Sequence, residues 1–99
     1  MFMEVAEIQI KPGAEALFEA GVQQAVHLFQ RAQGCRAMRL ERSVEHQANY
    51  ILLVEWDTIE DHMVHFRNSA DFQEWRRLVG DHFAAPPRVG HTATAINGF

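Results

Sequence analysis

The sequence predicts one α+β domain in which a four-stranded antiparallel sheet is backed by two helical regions. Three observations carry that prediction. Four segments carry strand patterns, either alternating or apolar on both faces, and two others carry apolar residues at helical spacing. The segments run strand, helix, strand, strand, helix, strand, which is the split βαββαβ arrangement called ferredoxin-like. Finally, the 99 residues, 47% of them hydrophobic, suffice for one core and not for two. No Gly/Ser-rich linker or low-complexity run interrupts them, so residues 1–99 read as a single domain.

The first strand covers residues 2–10, where Val5-Ala6-Glu7-Ile8-Gln9-Ile10 alternates, and Lys11-Pro12-Gly13 is turn chemistry that stops it. From Ala14 the period changes. Leu17, Phe18, Gly21, Val22, Ala25, Val26, Leu28 and Phe29 form a wide apolar stripe at helical spacing, ending near Ala32 or Gln33. Glu15 falls in the first turn, where the helix dipole favours an anion, and Gly34 is the expected terminating residue.

A second strand follows over Cys35–Arg42, with Met38 and Leu40 on one face and a load of Arg and Glu that suits a sheet edge. Residues 44–48 make a polar connection. Asn49–Trp56 contains Tyr50-Ile51-Leu52-Leu53-Val54, apolar on both faces, and reads as a central strand. Thr58-Ile59-Glu60-Asp61 is a helix start with Thr58 as its N-cap, and Ile59, Met63 and Phe66 mark the expected inner face. Asn68-Ser69 interrupts this helix, and Ser69 caps a second segment bearing Phe72, Trp75, Leu78 and Val79. Gly80 and then Pro86-Pro87 end the helical region, and residues 88–96 alternate as the last strand.

Two helices cover only one face of such a sheet. In the first strand Phe2, Ala6, Ile8 and Ile10 oppose Met3, Val5, Glu7 and Gln9; in the third, Tyr50, Leu52, Val54 and Trp56 oppose Ile51, Leu53 and Glu55. Neither face is polar enough to meet water, so a homodimer packed through the sheet face is expected. Two sheets joined in this way enclose a small dimeric α+β barrel. Glu7 and Glu55 would face its interior, near Arg39, unless they are simply solvated.

The formal net charge is −4 and the nine basic residues are scattered, so no nucleic-acid-binding face is readable. No apolar run approaches the length of a membrane span, and the start of the chain has no leader-like pattern; a cytoplasmic protein is the default expectation. Cys35 is the only cysteine, which excludes an internal disulfide and reads as a small buried hydrophobe. His62 and His65 stand three apart on a helix and His91 lies on the last strand. His-Glu-x-x-His is absent and no carboxylate sits at a diagnostic spacing, so no metal is expected. His27, His46 and His82 read as surface or loop residues.

Several stretches, taken in order, carry a resemblance. They are Val5-Ala6-Glu7-Ile8 through Lys11-Pro12-Gly13, Gln33-Gly34-Cys35, and Leu53-Val54-Glu55-Trp56-Asp57-Thr58-Ile59-Glu60-Asp61-His62. Phe66-Arg67-Asn68-Ser69, Phe72, Trp75, Pro86-Pro87 and His91 complete the set. Together they resemble the antibiotic biosynthesis monooxygenase (ABM) family over essentially the whole chain, the last set resembling one uncharacterised bacterial branch of it. The resemblance implies a dimeric α+β barrel. It implies several activities, because some members oxidise polyphenols to quinones with O2 and no metal or flavin, others degrade haem, and others process small metabolites.

The haem-degrading branch does not carry over. Ala6 stands where its Asn would be, Phe66 (or His65, by an alternative gap) where its Trp would be, and Arg76 where its axial His would be. The quinone-forming branch implies a pocket between sheet and helices, lined here by Ala6, Leu52, Val54, Trp56, Phe66, Trp75 and Phe83. His62 and His91 are its candidate catalytic residues, the substrate is a small aromatic of the polyphenol or quinol type, and no cofactor is expected. Aromatic walls would hold a planar substrate, and a histidine would take or return its proton. The bland alternative is that these aromatics close a solid core. Two other function classes stay open on the same scaffold: a non-oxidative isomerase, and a dimeric ligand-binding module without catalysis.

Overall fold

Alternation in the first strand sends Ala6 and Ile8 to one side and Val5 and Glu7 to the other, and the core is built on the first set. The computed structural model describes residues 1–99. The strands are β1 (Phe2–Gln9), β2 (Cys35–Arg42), β3 (Asn49–Trp56) and β4 (Arg88–Thr92), with helices α1 (Glu15–Gln30) and α2 (Ala70–Val79). A π-helical turn, Asp61–Phe66, precedes α2, and a 3-10 turn, Gly80–His82, follows it. The sheet order is β2-β3-β1-β4 and every pairing is antiparallel. This is the α+β, ferredoxin-like arrangement expected from the order of segments.

Register decides which side chains meet. Phe2 lies opposite Trp56, Ala6 opposite Leu52 and Ile8 opposite Tyr50, so β1 and β3 present one continuous apolar surface. On it sit Phe18, Val22, Ala25, Leu28 and Phe29 of α1 and Trp75 and Val79 of α2. Ring pairs tie the elements: Phe29 meets Trp75 edge-on between the two helices, with centroids 5.0 Å apart, and Phe18 meets Tyr50 of the sheet at 5.0 Å. Such pairs add roughly 0.5–1.5 kcal/mol each beyond the area they bury. Ser69 caps α2 by accepting a hydrogen bond from the Phe72 N–H at 3.1 Å, and Thr58 does the same for Asp61 at 3.1 Å.

Several boundaries and faces differ from expectation. The α1 helix stops at Gln30, and Gly34 lies beyond it in the turn into β2. Leu17 is 63% exposed, because the apolar stripe is wider than the face that one sheet layer can cover. The last strand ends at Thr92, opposite Met3; β1 begins one residue further on, at Phe2, so residues 94–96 have no strand to pair with. The inner side of the turn before α2 is Asp61, His62 and Phe66, while Ile59 and Met63 point outward. Within the single chain Arg39 pairs with Glu41 at 3.5 Å and Glu7 has Arg88 at 3.7 Å.

The second face of the sheet carries Met3, Val5, Ile51 and Leu53, with Val5 directly opposite Leu53. In β3 the helix-facing residues are fully buried, whereas Ile51 is 40% exposed. In the single chain, therefore, β3 is covered on one face only.

Gly34 links the turn into β2 to the turn before α2. Its φ is +75°, and a Cβ placed there would lie 2.0 Å from the Asp61 carboxylate. Its carbonyl also accepts a hydrogen bond from the Asp57 N–H at 2.8 Å. Gly34→Ala is expected to destabilise the fold by about 2 kcal/mol or more, from left-handed backbone strain and the clash together. Denaturant unfolding measures this directly. A change within about 0.5 kcal/mol would show that Asp61 moves aside freely.

Candidate active site

One carboxylic acid lies on the apolar side of the sheet. Glu4 shares the parity of Phe2, Ala6 and Ile8, so the strand aims it at the helices, where it is 5% exposed. The Trp56 Nε1–H donates to Glu4 Oε1 at 3.0 Å, and His62 Nε2 approaches the same oxygen at 3.3 Å. His62 Nδ1 is 2.8 Å from His91 Nε2. His91 reaches it from β4, where it is the cross-strand partner of Glu4, and is half-buried. Glu4, His62 and His91 thus form a chain from the interior toward the surface.

Electrostatics sets the protonation states along this chain. Burial pushes the Glu4 carboxyl up to about 7, against the smaller lowering effects of the Trp56 hydrogen bond and the Arg67 charge. Burial, with repulsion from His91 and Arg67, lowers His62 to about 4. His62 is therefore neutral at pH 7 and carries one ring proton. When Glu4 is ionised, its acceptor oxygen selects the Nε2–H tautomer, leaving Nδ1 to accept from His91. The Trp56 indole stacks on the His62 ring, centroids 5.2 Å apart and 15° from parallel, which holds the imidazole in place.

The backbone of the π turn explains how this wall is assembled. The Arg67 N–H donates to the His62 carbonyl at 3.1 Å, five residues back rather than four. Residues four and five after His62 therefore straddle it on one side, and His62, Phe66 and Arg67 all reach the same cavity. An α-helical count would have turned Arg67 away.

That cavity measures about 610 Å³ and lies between the sheet, the π turn, α2 and residues 83–87. Of the residues expected to line it, Ala6, Leu52, His62, Phe66, Trp75 and Phe83 do so. Val54 and Trp56 do not; both are fully buried behind it, Trp56 touching the site through its bonds to Glu4 and His62. His91 stands outside the cavity wall, behind His62. Glu4, Arg67 and Arg76 also line the cavity, and the sequence pattern does not mark them as site residues. An acid in register with apolar neighbours was the available signal for Glu4. The remaining histidines, His27, His46, His65 and His82, take no part. No three His, Cys, Asp or Glu side chains converge so as to hold a metal ion. Burial pushes the Cys35 thiol up to about 11, so it is no nucleophile at neutral pH.

Comparison with known proteins agrees with this fold. Residues 1–78 match the family described as antibiotic biosynthesis monooxygenase. The chain is 37% identical to the uncharacterised Bacillus subtilis protein YczJ over 91 residues, covering 92% of this chain and 96% of that one. A Bordetella bronchiseptica crystal structure, provisionally described as an antibiotic biosynthesis monooxygenase, is 54% identical with a TM-score of 0.94, covering 96% and 97% of the two chains. SnoaB, a cofactor-independent oxygenase from Streptomyces nogalater, superposes with a TM-score of 0.84 at 15% identity, covering 98% and 95%. That last likeness is one of fold.

Proposed function

Because the chain belongs to the antibiotic biosynthesis monooxygenase family, we propose that it is a cofactor-independent oxygenase acting on a small aromatic of the polyphenol or quinol type. The observation that carries the reading is a buried carboxylate, poised near neutral pH, on the wall of an aromatic-lined cavity. Glu4 takes the phenolic proton of the bound substrate, and His62 and His91 pass it outward. The electron-rich anion then reacts with O2. One oxygen atom ends on the ring carbon and the other leaves as water, which carries off the hydrogens of the ring C–H and the phenolic O–H. All four electrons that reduce O2 come from the substrate, so a phenol or anthrone plus O2 gives a quinone plus water, and a quinol plus O2 gives a hydroxyquinone plus water. Phe66, Trp75 and Phe83 hold the ring and keep bulk water from the anion.

An oxygen electrode tests this with naphthohydroquinones and anthrones in the presence of a chelator. Catalysed O2 consumption should match quinone appearance mole for mole. Consumption no faster than the uncatalysed background across that panel would reject the oxygenase reading. The same acid–base chain serves a non-oxidative isomerisation, which would instead appear as product formed without O2 uptake.

The dimer belongs to the same proposal. The open sheet face, with Met3, Val5, Ile51 and Leu53, packs against its copy in a second chain, so that the helix-side pocket of each chain stays clear of the interface. No helix is long and apolar enough to cross a membrane.

A further inference from the structure

The arginines divide into two groups. Of the eight in the sequence, six have a carboxylate within 4.0 Å, as Arg31 has Asp71 and Arg42 has Glu19. The two without one are Arg67 and Arg76, and both line the 610 Å³ cavity. A protein of net charge −4 has therefore left two cations unpaired in one largely apolar pocket.

Arg67 lines the cavity with an unpartnered donor. Its guanidinium lies over the Phe72 ring, 5.7 Å from the centroid, and its Nε is buried with no hydrogen-bond partner. A buried donor without a partner is costly, so some group is expected to meet it. Elsewhere this chain grips carboxylates through the same edge of the guanidinium: Nε and Nη2 of Arg31 both bond Asp71, at 2.8 and 2.7 Å, and Arg36 holds Asp57 in the same way. At Arg67 that edge meets no carboxylate of the protein.

We propose that Arg67 and Arg76 form an anion subsite in the pocket, and that the aromatic substrate carries a carboxylate on or beside its oxidisable ring. This rests on the reading of the pocket as the substrate site. Arg67 supplies the paired, planar donors that match a carboxylate, and Arg76, on the exposed side of the cavity, adds charge at its mouth. Glu4 is the acid that must lose its proton, so the subsite also places the substrate's fixed charge on the cations rather than against that carboxylate.

Calorimetric titration under nitrogen tests the subsite without any turnover, using 1-hydroxy-2-naphthoate and 1-naphthol as a matched pair. The naphthoate should bind the wild-type protein roughly tenfold or more tightly than the naphthol, as charge-assisted hydrogen bonds imply. In the Arg67→Gln/Arg76→Gln double variant the preference should fall to within about twofold, a difference of under half a hydrogen bond's usual worth. Arg76→Gln alone, at an exposed position, should keep the fold and lose part of it. Equal affinities, a preference that survives the double variant, or failure of the naphthoate to bind would each overturn the subsite. Oxygen uptake is measured separately. Uptake without a carboxylate preference removes the subsite and leaves the oxygenase; a preference without uptake does the reverse.

Discussion

Glu4→Gln should lower turnover of a quinol-type substrate by roughly 10²-fold or more, the usual contribution of a general base, while leaving the fold intact. Gln keeps an oxygen for the Trp56 N–H, so the variant removes the titrating group and little else. The pH profile makes the assignment specific. Glu4 acts as a base only when ionised, so kcat/KM of the wild type should rise as pH passes through about 7. That rising limb should be missing in Glu4→Gln. His62→Ala and His91→Ala should each also lose roughly 10²-fold if the proton leaves through them. Unchanged kinetics in both would take the histidines out of the mechanism and leave Glu4 to exchange protons with the pocket alone.

Stability against pH checks the same chain without a substrate. Glu4 rises from 4.5 to about 7 on folding, so ionising it costs the native state, and stability falls as pH climbs through that window. The full cost is of order 3 kcal/mol at 1.36 kcal/mol per unit. His62 falls from 6.5 to about 4, so its contribution runs the other way and is lost as pH drops through that window. The two slopes oppose each other where the windows overlap, and the wild type should be nearly flat there. In Glu4→Gln only the His62 slope remains, and acidification below pH 6.5 should cost about 1.4 kcal/mol per unit. Above pH 7 the same variant should be more stable than the wild type. A variant no more stable than the wild type there would mean that Glu4 is not held protonated by burial.

Leu53→Asp should turn the dimer into monomers or unfold it. Leu53 faces Val5 at the centre of the open sheet face, so in the proposed dimer the new carboxylate is buried without a partner. An uncompensated buried charge costs roughly 3–5 kcal/mol. Sedimentation equilibrium at micromolar concentration should give about twice the 11.3 kDa chain mass for the wild type and the single mass, or an unfolded spectrum, for the variant. Val44→Asp is the control, because Val44 is 96% exposed in the connection between β2 and β3. A well-folded wild-type monomer would end the interface argument.

What could be read from residues alone follows physical lines. The middle strands begin and end where alternation and turn residues place them, at Cys35–Arg42 and Asn49–Trp56, and Ser69 caps α2 as its side chain suggests. His62 and His91 are legible as candidates because imidazole is chemically distinctive and both fall on elements that flank the pocket; that they meet depends on the Glu4–His91 register, which no local pattern states. Glu4 escaped because hydrophobic periodicity counts apolar residues and passes over an acid among them. Glu7 and Glu55, acids that also interrupt the apolar pattern of the strands, both lie on the open face. Arg67 was hidden more deeply. Helical spacing assumes four residues per hydrogen-bonded turn, and here the turn takes five.

That wider turn has a consequence for length. A π turn holds one residue more than an α-helical turn between the same two ends, and the surplus is taken up on the outside, where Met63, Val64 and His65 are exposed. An insertion or deletion of one residue there need not shift His62 on one side or Phe66 and Arg67 on the other. The segment can vary in length while the cavity wall keeps its composition, much as a pleat can be let out without moving the seams. A gap placed within such a stretch shifts the match by one position, as between Phe66 and His65. Equivalent side chains are found instead by counting inward from the two fixed ends, to the ring stacked on Trp56 and the guanidinium over Phe72.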